Sequence, residues 1–275
     1  MGVIVQYWPL IFGLAATGAV SGVFAGLLGI GGGAIIVPAL AFAFEILGYG
    51  SDVAQHAAVA SSLAIIIPTG AMSARSHYRR GAVDMVILTY WGPFVLGGTL
   101  VGGLMAGLFT GNVLRMVFGV MALLIAINIV TPLQQRLMGH LRSSPLTHRI
   151  AAVIVGYISA LMGVGGGSLS VPTIVAFGET MHKAVGTGAA IGVFIAVGGT
   201  IGFIVSGWSE PGLPPLSLGY VNLVAFALVG GLAALTAPLG AALAHRLDQK
   251  TLKYTFAVFL VLVGSNMIWK AFSGH

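Results

Sequence analysis

Apolar residues in this chain run in long unbroken stretches, and polar residues gather in the short gaps between them. A half-buried strand would alternate and a soluble helix would show one wet face; neither period is present. The stretches fall at 9–29, 34–47, 53–74, 84–109 and 112–132, then at 149–163, 168–178, 183–206, 217–244 and 249–271. About 20 residues cross a bilayer core of roughly 30 Å. The second stretch of each set is short: the 14 residues of 34–47 rise only ~21 Å as a helix. Each first pair therefore reads as one helix broken or turned at a glycine triplet.

Composition turns that pattern into a class. Of 275 residues 57% are hydrophobic and 7% charged, and the mean hydropathy is +1.03. Soluble domains carry about 25% charged residues, so this chain has nothing from which to build a water-facing surface. The expectation is an all-α polytopic membrane protein of eight to ten segments, seated in a cell (inner or plasma) membrane with the lipid bilayer as its solvent. Zero cysteines exclude disulfides, thiolate metal sites and cysteine-based redox chemistry. The net charge of +6 comes from loop residues, which read as orientation signals and not as a nucleic-acid surface.

The two sets of stretches are copies. Gly29-Ile-Gly-Gly-Gly-Ala-Ile-Ile-Val-Pro38 matches Gly163-Val-Gly-Gly-Gly-Ser-Leu-Ser-Val-Pro172 at an offset of 134. His56 to Ser61 parallels His182 to Thr187 at 126, and Gly102, Leu114, Arg115, Phe118 and Asn128 parallel Gly240, Leu252, Lys253, Phe256 and Asn266 at 138. One transmembrane domain, 1–275, is thus expected to hold repeat 1 (9–132), a linker (133–148) and repeat 2 (149–271). Small-xxx-small ladders such as Gly18, Gly22, Gly26 and Gly98, Gly102 read as close-packing faces, which permit a homodimer without requiring one.

Charge decides between two topologies. If the chain turns at each glycine triplet, Arg75, Arg79, Arg80, Arg136, Arg142, Arg149, Lys183, Arg246, Lys250 and Lys253 share one side, and Arg115 and Lys270 the other. Eight plain spans would divide the same residues seven to five. The positive-inside rule favours the first arrangement, which makes the halves inverted and puts both termini on the non-cytoplasmic side.

Backbone freed by Gly-Gly-Gly inside a membrane is tolerable only in protein or at a polar cavity. At Gly31, Gly32, Gly33 and Ala34, and at Gly165, Gly166, Gly167 and Ser168, the freed N–H groups precede a short helix, where its dipole favours an anion. Matched sites in inverted halves suit a transporter. A bulky residue at Gly166 or Gly32 is then expected to abolish flux in an inserted, folded protein. Ser61, Ser62 and Thr187 follow within two turns of His56 and His182. Their hydroxyls either donate to an oxyanion or bond back to their own helices. Asn128 and Asn266 either meet substrate or glue helices together, and His56 and His182 either cap helices or carry protons.

The doubled G-x-G-G-G-x-x-x-V-P motif resembles that of the TauE/SafE family of sulfite exporters, over essentially the whole chain. The resemblance implies a permease for small sulfur-containing anions, sulfite or organosulfonates such as sulfoacetate. A secondary transporter needs no cofactor, and its coupling ion, H+ or Na+, is not legible. An anion channel remains as an alternative. An intramembrane enzyme is weaker, since no G-x-S-x-G, H-E-x-x-H or cysteine nucleophile is present.

Overall fold

The computed structural model describes residues 2–28, 32–131, 144–243 and 249–273. Among them ten helices carry the chain: α1 Gly2–Leu28, α2 Gly33–Ile46, α3 Ser51–Arg79, α4 Met85–Ala106, α5 Gly111–Val130, α6 Pro145–Met162, α7 Gly166–Ala176, α8 Met181–Ser206, α9 and α10 Gln249–Ser273. Helix α9 runs through Leu223–Ala225, a π turn at Phe226–Gly230 and Gly231–Leu243. Six of the ten contain a stretch long and apolar enough to span a membrane: α3, α4, α5, α6, α8 and α10. The expected multi-pass all-α architecture is therefore present.

One stretch is shorter than its apolar run suggested. Residues 217–244 do not form a single helix, because Ser217–Leu218 and Val221–Asn222 pair as a small antiparallel hairpin. Pro214, Pro215 and Gly219, the last at φ 55°, oppose helix there, and α9 begins only where the Asn222 side chain accepts the Ala225 N–H at 2.9 Å. Local chemistry sets other starts in the same way. Asp84 caps α4 by accepting from Val86 and Ile87, and Ser144 and Thr147 form a capping box ahead of Pro145 on α6.

Helices α3 and α8 form the centre, two-thirds buried along their apolar windows, whereas the other four candidate spans bury 28–39%. They cross antiparallel, with Leu63 on Gly199 and Val193 on Gly70. Around them one pairing matches between the halves, α4 against α6 and α9 against α1. A Cβ on Gly156 of α6 would meet Val95 O of α4, and one on Gly22 of α1 would meet Ala233 O of α9. Gly102 lies against Tyr157 O as Gly240 lies against Val23 O. Gly98 lies against Val153 O, and in the matching place Thr236 Oγ1 donates to Ala19 O at 2.9 Å. The partners in each pair of contacts are related by the offsets 134 and 138. These glycines admit backbone against backbone, which is how helices associate where lipid removes the hydrophobic drive.

The bundle has two chemically distinct ends. At one, Glu45 at the close of α2 pairs with Arg115 of α5 and with Lys270 of α10, and the Asp52 carboxylate accepts the Gly111 N–H. Exposed Trp208 and Trp269 flank this end, as interfacial aromatics do. At the other, Arg149 Nε donates to Tyr90 Oη at 3.0 Å, and His77, Arg80 and His182 lie close enough to interact electrostatically. Arg115 and Lys270 thus meet at one end, away from the described Arg80 and Arg149. Arg136, Arg142 and Arg246 lie outside the described residues.

Candidate anion site at the junction of the two breaks

Helix α6 stops at Met162 because Gly163 turns left-handed at φ 70°, its N–H returning to Ala160 O while the Val164 N–H returns to Ser159 O. Helix α7 restarts at Gly166. In the first half α1 ends at Leu28 and α2 starts at Gly33 behind Gly32, at φ 75°. Gly29, Ile30 and Gly31 lie outside the described residues, so Gly31 among the candidate ligands has no described placement.

The two glycine motifs touch. A Cβ on Gly33 would stand 2.5 Å from Gly163 O and 3.0 Å from Val164 Cα; one on Gly163 would stand 2.8 Å from Val37 and 3.0 Å from Val59 Cα. Ser62 of α3 donates to Gly163 O at 2.8 Å, so the central helix holds the meeting point. Gly166 is seated on the α8 ladder, its Cβ position 2.2 Å from Gly188 O and 2.6 Å from Gly192 N. From this junction α2 leads toward Glu45 and its two cations, whereas α7 leads toward Phe177, stacked on His148 with ring centroids 3.9 Å apart. Both short helices begin at the junction; at α2 the Ile35 and Ile36 N–H groups donate to Gly32 O at 3.0 and 3.1 Å, so the groups the helix itself leaves open there are those of Gly33 and Ala34.

Polarity there is unequal. Ser168 is buried and donates to Gly165 O at 3.2 Å. Ser159 and Ser170 are 1% and 0% exposed, and neither hydroxyl has a hydrogen-bond partner among the described residues. The first-half equivalents are Ala25, Ala34 and Ile36. Gln55, one turn before Val59 on α3, is fully buried with neither amide atom partnered among the described residues. An unmade hydrogen bond at a buried group costs about 1–3 kcal/mol, so such groups call for an explanation.

The other candidates divide. Ser61 and Thr187 each make a contact that the sequence did not indicate. Ser61 Oγ accepts the Asn222 N–H at 2.9 Å and Thr187 Oγ1 accepts the Asp84 N–H at 2.8 Å. Each thereby ties the third helix of one half to the cap of the fourth helix of the other. His56 and His182 are not brought together. His56 is buried, with Nδ1 2.7 Å from Asp52 O and Nε2 3.0 Å from Ala106 O, and is stacked on Tyr220. His182 is exposed at the opposite end beside His77. Asn266 lines a cleft of about 250 Å³ between α2 and α10 with Pro38, Phe42, Glu45 and Lys270. Asn128 is half-buried on α5, its Oδ1 unpartnered among the described residues. Gly32, Gly33, Ala34, Gly165, Gly166 and Ser168 are all buried at the junction, and Gly167 is half-buried there.

Sequence reasoning missed Ser159, Gln55, Asp84 and Asn222. A signal existed for the last two, since they sit 138 apart at the starts of matched stretches. For Gln55 and Ser159 there was none: a lone polar residue in an apolar run does not say what it faces.

No solved structure matches the chain. Among curated proteins it is 32% identical over 253 residues to a "Probable membrane transporter protein" of Haemophilus influenzae, covering 92% of this chain and 96% of that one. It is 28% identical over 281 residues to "Probable membrane transporter protein YunE" of Bacillus subtilis, covering 94% and 97%. With the paired glycine motifs, spans and end-to-end relatives of transporter type, the protein is a multi-pass membrane transporter. Residues 14–267 match the family described as Sulfite exporter TauE/SafE, and the chain belongs to that family.

Proposed function

We propose that this protein is a secondary transporter of small sulfur-containing oxyanions, sulfite or organosulfonates such as sulfoacetate, which bind at the junction of the two glycine breaks. The observation that carries the reading is the contact of Gly33 with Gly163 and Val164: two short-helix N-termini share one buried place near mid-bundle. Orphan hydroxyls at Ser159 and Ser170 are supplied with an acceptor by an oxyanion. Alternating access follows if two inverted halves rock about the central α3 and α8 pair, exposing the junction first to one side and then to the other.

The end bearing Arg79, Arg80, Arg149 and Lys183 faces the cytoplasm in this reading, in a cell (inner or plasma) membrane with both termini outside. Proton coupling, sodium coupling and uniport are told apart by the gradients imposed, and the buried His56 is the group to examine for a proton. Purified protein in proteoliposomes is the test, with sulfite, sulfoacetate, taurine, sulfate and acetate compared with and without a pH gradient. Saturable flux of a sulfur oxyanion is expected. No flux of any of them from folded protein overturns the proposal.

A further inference from the structure

Among the described residues the ion pairs and basic clusters lie toward the ends of the bundle and not at the junction. Among the described residues Glu45, Arg115 and Lys270 gather at one end, and Arg80 and Arg149 at the other. The basic residue of α3 next along from the junction, Arg75, lies nine positions past Ile66, ~13 Å along the axis. What the junction offers is neutral: first-turn N–H groups and the hydroxyls of Ser159 and Ser170, which have no partner among the described residues, the Ser168 hydroxyl being already given to Gly165 O. Ser170, fully buried and unpartnered, stands on α7 one turn beyond Gly166, where a helical side chain leans back toward the helix start.

We infer that the junction selects by charge state and takes singly charged oxyanions, a sulfonate or hydrogensulfite, while rejecting dianions such as sulfate. The inference rests on the junction being the transport site. Each helix N-terminus carries about half a positive charge, so two of them together balance one negative charge. A second negative charge finds no cationic side chain there among the described residues, and the cost of removing an ion from water grows with the square of its charge. Neutral donors satisfy the oxygens of a monoanion and release it without breaking an ion pair. A lysine or arginine at the junction would hold a dianion but release it slowly.

Three probes in proteoliposomes of the full chain decide it. Methanesulfonate carries one charge at any working pH, sulfate carries two, and sulfite gains its proton near neutrality. Methanesulfonate flux is expected to be saturable and equal one pH unit either side of neutrality. Sulfate should move at less than about a tenth of that rate, a difference of about 1.4 kcal/mol. Sulfite should move several-fold faster on the acid side, following the singly charged form, with the gradient collapsed so that proton coupling does not contribute. Sulfate moving as fast as methanesulfonate, or sulfite moving faster on the alkaline side, overturns the charge selection and leaves the transport reading intact. Immobility of all three anions overturns the transport reading itself, and this inference with it.

Discussion

Ser170 and Gly166 sit one turn apart on α7, yet they answer different questions. Gly166 has Gly188 O and Gly192 N where a side chain would go, so a bulky residue there forces α7 off α8. The expectation that such a variant stays folded and merely loses flux is set aside on that ground. Ser170→Ala removes a hydroxyl that has no partner among the described residues. It should leave the unfolding temperature unchanged or raise stability by up to about 1 kcal/mol, and lower oxyanion flux about tenfold. Thermal unfolding in detergent beside a flux assay checks both halves, and full flux would remove Ser170 from the site. Tyr220 offers a pH test. Its burial, with the Glu210 carboxylate nearby, pushes the hydroxyl up to about 12 from the ordinary 10.0. The folded state thus holds the proton more tightly, so this contribution is whole below about pH 10 and lost as pH rises through about 12. Tyr220→Phe should flatten that alkaline loss when unfolding midpoints are followed across the range.

Between elements, the two crossed ties are the features to test. Asp84 and Asn222 each cap a fourth helix with a side chain while donating a backbone N–H to Thr187 or Ser61 in the other half. Thr187→Val and Ser61→Ala each strand that N–H, and each should cost about 1–3 kcal/mol in thermal unfolding. A cost at one site and none at the other would show that the matched geometry is not matched energetically. The helix stretches themselves were legible because a bilayer demands long apolar runs, and the residues called for α3, α5 and α8 lie within a few positions of those observed. The start of α9 was not read, since Leu218, Tyr220 and Val221 are as apolar as helix residues, although Pro214, Pro215 and Gly219 beside them oppose helix and the structure pairs Val221 with Leu218 in a hairpin.

At the scale of the whole molecule, Glu45 is where α2, α5 and α10 are fastened together. Glu45→Gln takes the carboxylate from an Arg115 side chain that is fully buried. It should lower stability by about 3 kcal/mol, the usual penalty for breaking a buried pair from one side, and added salt should shrink that loss only by the share of the partly exposed Lys270 pair. Chemical unfolding at low and high salt measures it. A C-terminal reporter should read as non-cytoplasmic if the basic end faces inward. The sequence by itself determined the class, most of the helical stretches, and the matched glycine motifs with their fixed offset. Each of these follows from what a bilayer imposes locally on the chain or is written directly in the residue order, so a reader of one dimension can see it. Only the tertiary structure decided that the motifs touch at Gly33 and Gly163, that His56 and His182 lie at opposite ends, and that Ser61 and Thr187 serve as ties. Those outcomes depend on which helix faces meet in three dimensions, and an apolar run that is hydrophobic all round carries no record of its facing partner.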